Sequence, residues 1–386
     1  MVHLELLRPM KAIILIPFFI LNVFGAFAQI SNVQEEFLLP ASLSESSGII
    51  YFNNKLITHN DSGGENKLYE VDVNTQQISR AVTISNATNA DWEDITQDDT
   101  SIFIGDIGNN NGNRTNLKIY KISKADYTAS TTVTAEIIAY SYADQTDFTA
   151  NPNNNIWDAE ALVSYNADNL MLFTKNWVDG VTKAYIIPKL PGSHSVSPQA
   201  TTLNSNGLIT GGTYNPLTEK LYLVGYTEAL FPFVWQCEGF SQADVFSGTN
   251  FQTQLSSLGQ EQAEAITFID ENSYYLTSES FSQTFGGFTF ADDAKLISFS
   301  TNDEALSNTK NSTSTVVSLY PNPATNVLNL DTNNAFLSVE IFNSQFKTLY
   351  QGQEAKINVA AFSPGLYFVK VQLNTNLFVV KKFVKQ

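Results

Sequence analysis

The sequence predicts an all-β chain in two parts, a β-propeller followed by a small Ig-like β-sandwich. Three observations carry this. Short apolar runs recur with a period of about fifty residues, and such a period marks blades or solenoids. Tyr and Phe number 16 and 27 against 3 Met and 3 His, a balance that favours strands. No heptad or long amphipathic helical pattern runs through the 386 residues.

The first 28 residues read as an export signal. Lys11 precedes the apolar run "AIILIPFFILNVF", and "AFA" at 26–28 forms an A-x-A-like cleavage site before Gln29. Met10 offers a second, more compact start. The run is too short for a membrane span and carries Pro17, so the mature chain is not expected to cross a membrane. No Cys follows the cleavage site, which argues against a lipid anchor. Cys237 is the single cysteine, so no intrachain disulfide can form, and its setting in "FVWQCEGF" is that of a buried strand position.

Residues 29–300 hold the repeat. First strands read "SSGIIYF", "EDITQDD", "EALVSYN", "ITGGTYN" and "EAITFID". Second strands follow as "KLITHND", "SIFIGDI", "LMLFTKN", "KLYLVGY" and "SYYLTSE", and third strands as "KLYEVDV", "LKIYKIS", "KAYIIPK", "FVWQCEG" and "KLISFST". Only four fourth strands are found inside the repeats: "ISRAVTIS", "EIIAYSYA", "QATTLNS" and "FQTQLSS". "VQEEFLLP" at 33–40 supplies the fifth, closing the circle from the opposite end of the chain as propellers do to protect open edges. Five blades are expected, with six as the alternative. The Asn-rich stretch "DQTDFTANPNNN" lengthens one repeat and is expected to be a surface excursion.

Residues 301–315 are Ser/Thr/Asn-rich and read as a linker. Residues 316–386 carry seven short runs, "VVSLYP", "NVLNLD", "SVEIFN", "KTLYQ", "KINVA", "GLYFVKVQ" and "LFVVKKFV", spaced as in a small sandwich. Pro321 and Pro323 cannot donate ladder bonds and belong at a strand edge or turn.

Charge is divided unevenly. Residues 29–305 hold 12 Lys and Arg against 34 Asp and Glu, whereas 306–386 hold 7 against 3. The large domain is therefore a poor partner for nucleic acid and a good one for cations.

The repeat also proposes a site, because several first strands begin with a carboxylate. With tight hairpin turns, Glu93 is expected opposite Asp106, Glu160 opposite Lys175, Ser46 opposite Asp61 and Glu264 opposite Glu279, while Ile209 falls near Tyr226. Starts of first strands and ends of second strands share one rim. Asp61, Glu93, Asp106, Glu160, Glu264 and Glu279 should thus crowd one mouth of the channel. Like charges facing each other on a ladder are destabilising. A Ca²⁺ ion held by these residues, with amide oxygens from Asn60 or Asn109, is one remedy. A shared proton that equips one carboxyl for acid–base chemistry is another, and splaying into solvent a third. Arg114 and Lys175 could hold an anionic substrate or balance charge.

Other short motifs carry less. "NDSGG" at 60–64 looks like a serine-protease signature but falls in a blade hairpin with no supporting triad. Two mature-chain histidines, His59 and His194, are too few for an ordinary zinc site. "GDIGNNNGNR" lacks the ending of a phosphate loop.

The tail resembles the C-terminal sorting domain (type A) of the type IX secretion system of Bacteroidota, through "YPNPATNVLNL" at 320–330, "GLYFVKV" at 365–371 and "KKFVK" at 381–385. The resemblance implies passage through the periplasm and recognition of residues 316–386 by the outer-membrane translocon. Secretion or attachment to the outer cell surface would follow. The large domain resembles an uncharacterised family of secreted bacterial β-propellers, through "ESSG", "THNDSG", "DWEDI", "GDIGNN" with Arg114, and "DAEAL". More distantly it is similar to phytase-like esterase and lactonase propellers, whose acidic channel mouths bind calcium. Three functions stay open: a scaffold binding Ca²⁺, a carbohydrate or a small molecule; a Ca²⁺-dependent hydrolase; and a glycosidase.

Overall fold

The computed structural model describes residues 30–303, 317–332, 336–343, 347–374 and 377–386. The export signal and most of the linker lie outside them. The chain divides into two compact units, Met1–Leu306 and Ser307–Gln386.

Among the described residues, five large sheets and a two-stranded ribbon, Phe281–Phe285 with Phe288–Asp292, build the first unit. The first sheet runs Ser46–Phe52, Lys55–Asn60, Lys67–Asp72 and Gln77–Ile84, and the second Trp92–Gln97, Ser101–Asp106, Lys118–Ser123 and Glu136–Tyr142. Ala159–Ser164, Asn169–Thr174, Val181–Pro188 and Pro198–Asn204 form the third. Leu208–Asn215, Lys220–Tyr226, Pro232–Glu238 and Thr249–Gln254 form the fourth. The fifth takes Gln262–Phe268, Ser273–Glu279 and Lys295–Thr301 from one end of the unit and Ile30–Leu38 from the other. Besides the ribbon, two short edge strands lie outside the expected set: Thr132–Val133 adds in parallel to the edge of the first sheet, and Gly192–Val196 to that of the second. Each covers backbone groups that an open edge would leave unpaired.

The sheets stand in a ring. Each first strand packs against the first strands of two neighbours, and Gln262–Phe268 returns to Ser46–Phe52. Between successive sheets lie separate apolar clusters. Ile57 and Leu68 meet Trp92 and Ile104, and Tyr140 meets Leu172. Phe173 meets Leu223, Val224 meets Leu276, and Leu296 meets Leu56 across the closure. With both faces buried, several second strands, such as Ser101–Asp106 and Asn169–Thr174, read as nearly continuous apolar runs. Each fully buried Ile or Leu contributes about 1.5–3 kcal/mol, so the ring is held by its wedges. Polar bonds join the inner strands as well. The buried Asp94 carboxylate accepts from Ile95 N and Leu162 N, both at 2.8 Å, and Ser47 Oγ donates to the Glu93 carbonyl at 2.6 Å.

Every inner hairpin carries a β-bulge at the same place. Pairing slips by one residue between Ser46 and Gly48, Trp92 and Asp94, Ala159 and Ala161, Ile209 and Gly211, and Ala263 and Ala265. Ser47, Glu93, Glu160, Thr210 and Glu264 are the residues left out. A bulge re-aims its side chain. It also corrects the expected pairs: Asp106 faces Trp92, Asn60 faces Ser46, Thr174 faces Ala159, Glu279 faces Gln262 and Tyr226 faces Leu208. The fourth sheet tolerates close approach because Gly211 lacks a side chain; a Cβ there would stand 2.3 Å from the Glu264 carbonyl oxygen.

The second unit has two sheets. Val317–Tyr320, Val327–Thr332 and Lys356–Asn358 form one; Thr348–Gly352, Ser338–Asn343, Gly365–Asn374 and Leu377–Lys385 form the other. Leu328, Leu330, Val339, Ile341, Val369 and Phe383 share its core. Pro321 and Pro323 lie in the bend after the first strand, as their missing donors require. Among the described residues no helix is long and apolar enough to cross a membrane.

Candidate functional site

The bulges turn one end of the ring into a cavity of about 470 Å³, and Asp61, Glu93, Glu160, Glu264 and Glu279 all line it. Three of them are the bulged residues themselves. Asp106 does not line it. Because the bulge pairs Asp106 with Trp92, its carboxylate turns behind the wall, fully buried, 2.6 Å from Arg114 Nη2 and 3.7 Å from Lys118 Nζ.

Asp91, absent from the sequence reading, completes a carboxylate cluster beside the cavity. Carboxylate oxygens of Asp61, Asp91 and Glu93 lie within 4.8 Å of one another. Backbone geometry holds them there. The amides of Ile107 and Gly108 donate to the Asp91 carbonyl at 3.1 and 3.2 Å, fixing the segment before Trp92 against the end of the neighbouring strand. Gly108 leaves the space the acids fill: a Cβ there would be 2.1 Å from Glu93 Oε1 and 2.5 Å from Asp91 Oδ2. Asp61 Oδ1 and, on the cavity wall, Asn110 Oδ1 are buried oxygens with no hydrogen-bond donor.

The amides expected as helpers are placed differently. Asn109 is consumed by its own loop, accepting from Arg114 N and donating to the Trp157 carbonyl. Asn60 donates to the Ser42 carbonyl and keeps its Oδ1, the oxygen expected to help, buried with no hydrogen-bond donor. The Asn-rich excursion is exposed over 146–154, as expected, and it also reaches the cavity wall. Asn151 N and Asn153 N donate to the carbonyls of Asn111 and Asn110, folding the stretch onto the neighbouring loop and bringing Asn153 to the cavity.

The two basic groups balance charge. Lys175 is buried, with its ammonium 2.7 and 2.6 Å from Glu160 Oε1 and Oε2 and over the rings of Trp177 and Tyr226. Arg114 holds Asp106 and the Gly108 carbonyl and stays 3.9 Å from Asp91.

Two basic groups cannot neutralise so many acids, and their proton affinities rise. Burial first, then neighbouring charge, pushes Asp61 up to about 6 and Asp91 to about 7. Burial, with Asp61 and Glu160 nearby, drives Glu93 well above the carboxylate range. Glu264 is raised by burial to about 7, and Glu279 by burial and by Glu264. Burial also raises Glu160, against the pull of Lys175. Crowded carboxylates of this kind either keep protons or take up a cation.

The remaining motifs are structural. His59 is fully buried, edge-on to Trp92, and burial lowers its pKa to about 4. Cys237 is buried in its strand, and burial pushes its thiol up to about 12.

Residues 318–386 match the family described as the secretion system C-terminal sorting domain. The tail is a type IX sorting domain, and it marks the chain for export to the cell surface or the medium. No curated protein sequence matches the chain. Among solved structures the chain is similar to the PQQ-bound aldose sugar dehydrogenase of Streptomyces coelicolor, at 11% identity and TM-score 0.40 over 71% of this chain and 99% of that one. It is also similar to YCF48 bound to D1 peptide, at 11% identity and TM-score 0.32 over 94% and 97%. The WD40 domain of Toxoplasma gondii coronin gives 11% identity and TM-score 0.31 over 72% and 90%. The fold assignment rests on the strand pairing and not on these likenesses.

Proposed function

We propose that this exported propeller is a cation-binding scaffold whose channel mouth holds Ca²⁺ on Asp61, Asp91 and Glu93. One observation carries the reading: three carboxylates from two blades converge within 4.8 Å, the spacing of oxygens that share an ion at about 2.3–2.6 Å. The unpartnered oxygens of Asp61 and Asn110 and the space kept open by Gly108 support it. Hard oxygen donors with no thiolate or imidazole at the cavity suit calcium rather than zinc. Calcium titration calorimetry on the chelator-treated mature chain is the test. Saturable binding with a raised melting temperature is expected, and both should vanish in Glu93→Gln. No heat and no melting shift would overturn the proposal.

A second reading shares the cavity. Glu264, raised by burial to about 7, is a carboxyl that can hold a proton near neutrality, as the acid of a calcium-dependent hydrolase or a glycosidase must, and burial raises Glu279 beside it in the same direction. Gln262 Nε2 fixes Glu279 at 2.8 Å. Turnover of p-nitrophenyl esters, phosphates or glycosides that disappears in Glu264→Gln while calcium binding persists would favour it.

A further inference from the structure

The inner strands have a second end. There, opposite the acidic mouth, a larger cavity of about 730 Å³ is lined by Tyr51 and Phe52 of the first sheet, Tyr165 after the third, Tyr214 of the fourth and Phe268 of the fifth. A neighbouring cavity of about 570 Å³ reaches Phe240 and Gln242, and Tyr165 and Tyr214 line both. These two rings meet edge to face at 5.3 Å, and Phe240 lies 6.4 Å from Tyr165. The tyrosine pair is therefore a saddle between two adjoining hollows. All five aromatic residues named in the larger cavity are only partly buried, unlike those of the wedges between sheets.

We propose that this mouth binds a neutral oligosaccharide laid across the Tyr165–Tyr214 saddle. Aromatic rings with polar tips offer flat apolar surface to the C–H faces of sugar rings and hydrogen bonds to their hydroxyls. Planar amides and carboxylates around them supply paired donors and acceptors suited to vicinal hydroxyls. Asn53 and Asn54 stand in the first hairpin turn at φ 52° and 58°, and Asp99 and Thr100 in the second. Such a mixture of aromatic wall and few polar groups is that of a small-ligand site. Charge selects a neutral ligand. Asp98 is engaged by Lys189 at 2.8 Å, and Lys124, over the Phe52 ring, offsets Asp99. The net charge of −17 repels polyanions. Two hollows adjoining at one saddle favour a chain of sugars over a single ring.

The site is independent of the acidic mouth, and the experiment keeps them apart. The full mature chain is titrated by calorimetry with hexaoses of cellulose, xylan, laminarin, mannan and chitin, with and without chelator. At least one hexaose should bind saturably, unaffected by chelator or by Glu93→Gln. Affinity should fall at least tenfold in Tyr165→Ala and in Tyr214→Ala. Asn54→Gly, which keeps the positive φ free of strain, and Asp99→Asn, both at exposed turn positions that do not support the core, should weaken it several-fold at unchanged melting temperature. Absence of binding to all five, binding that survives both tyrosine variants, or preference for a polygalacturonate hexamer or a casein peptide would overturn the proposal.

Discussion

Lys175 places its ammonium 2.7 and 2.6 Å from the two carboxylate oxygens of Glu160, and the two side chains are 6% and 3% exposed residues of one hairpin. Removing one partner of a buried pair leaves a charge without compensation. Lys175→Met should cost about 3–5 kcal/mol. The loss should be larger at pH 9 than at pH 6, because Glu160 escapes part of it by keeping a proton. Lys175→Met with Glu160→Gln should recover most of the stability. Urea midpoints read all three; a double variant as weak as the single one would refute the pairing.

Metal-free protein should lose stability as pH rises. Glu264 has an ordinary pKa of 4.5 when unfolded and about 7 when folded. Below about pH 4.5 both states are protonated, and between 4.5 and 7 only the folded state holds the proton, so stability falls as pH increases through that window. The loss from this one group is on the order of 3 kcal/mol, and the rise at Glu279 adds in the same direction. Melting in chelator at pH 5, 6.5 and 8 should fall steadily, and calcium should flatten the trend. A melting temperature that climbs from pH 5 to 8 in chelator would count against it.

Gly108→Ala isolates the cation site from the fold. The added carbon would enter the space of Glu93 Oε1 and Asp91 Oδ2, displacing two of three carboxylates. Calcium affinity should drop at least tenfold while circular dichroism stays that of the parent. Unaltered affinity would place the ion elsewhere.

Export rests on the tail. Deletion of 316–386 should leave a folded propeller in the periplasm, visible by fractionation. Normal export of the truncated chain would show that another segment carries the address.

The strands were legible because each is a short apolar run bounded by turn residues, and the ring because a fifth outer strand was missing inside the repeats. The detail of the site was not. Tight-turn pairing holds from Phe52–Lys55 to Gly48–His59 and from Gln97–Ile102 to Asp94–Gly105, then slips at the bulge. In the third and fifth sheets it is displaced from the start, since the loops there close on Ser164–Leu170 and Phe268–Tyr274. A bulge leaves no apolar signature; its trace here is the recurring polar residue at 47, 93, 160, 210 and 264. Asp91 carries no local signal, because it precedes its strand and is brought in by backbone bonds from Ile107 and Gly108, a contact between separate segments that no local pattern announces.

Sealing the fifth sheet with Ile30–Leu38 fixes the order in which the molecule can be finished. The earliest segment to emerge from a translocating pore must wait, unmatched, for Lys295–Thr301, the last. A chain halted midway would expose the bare flanks of its newest sheet, inviting chaperone capture or clumping. Completion is thus coupled to delivery of the whole domain into one compartment, and the sorting tail follows only after the circle can shut.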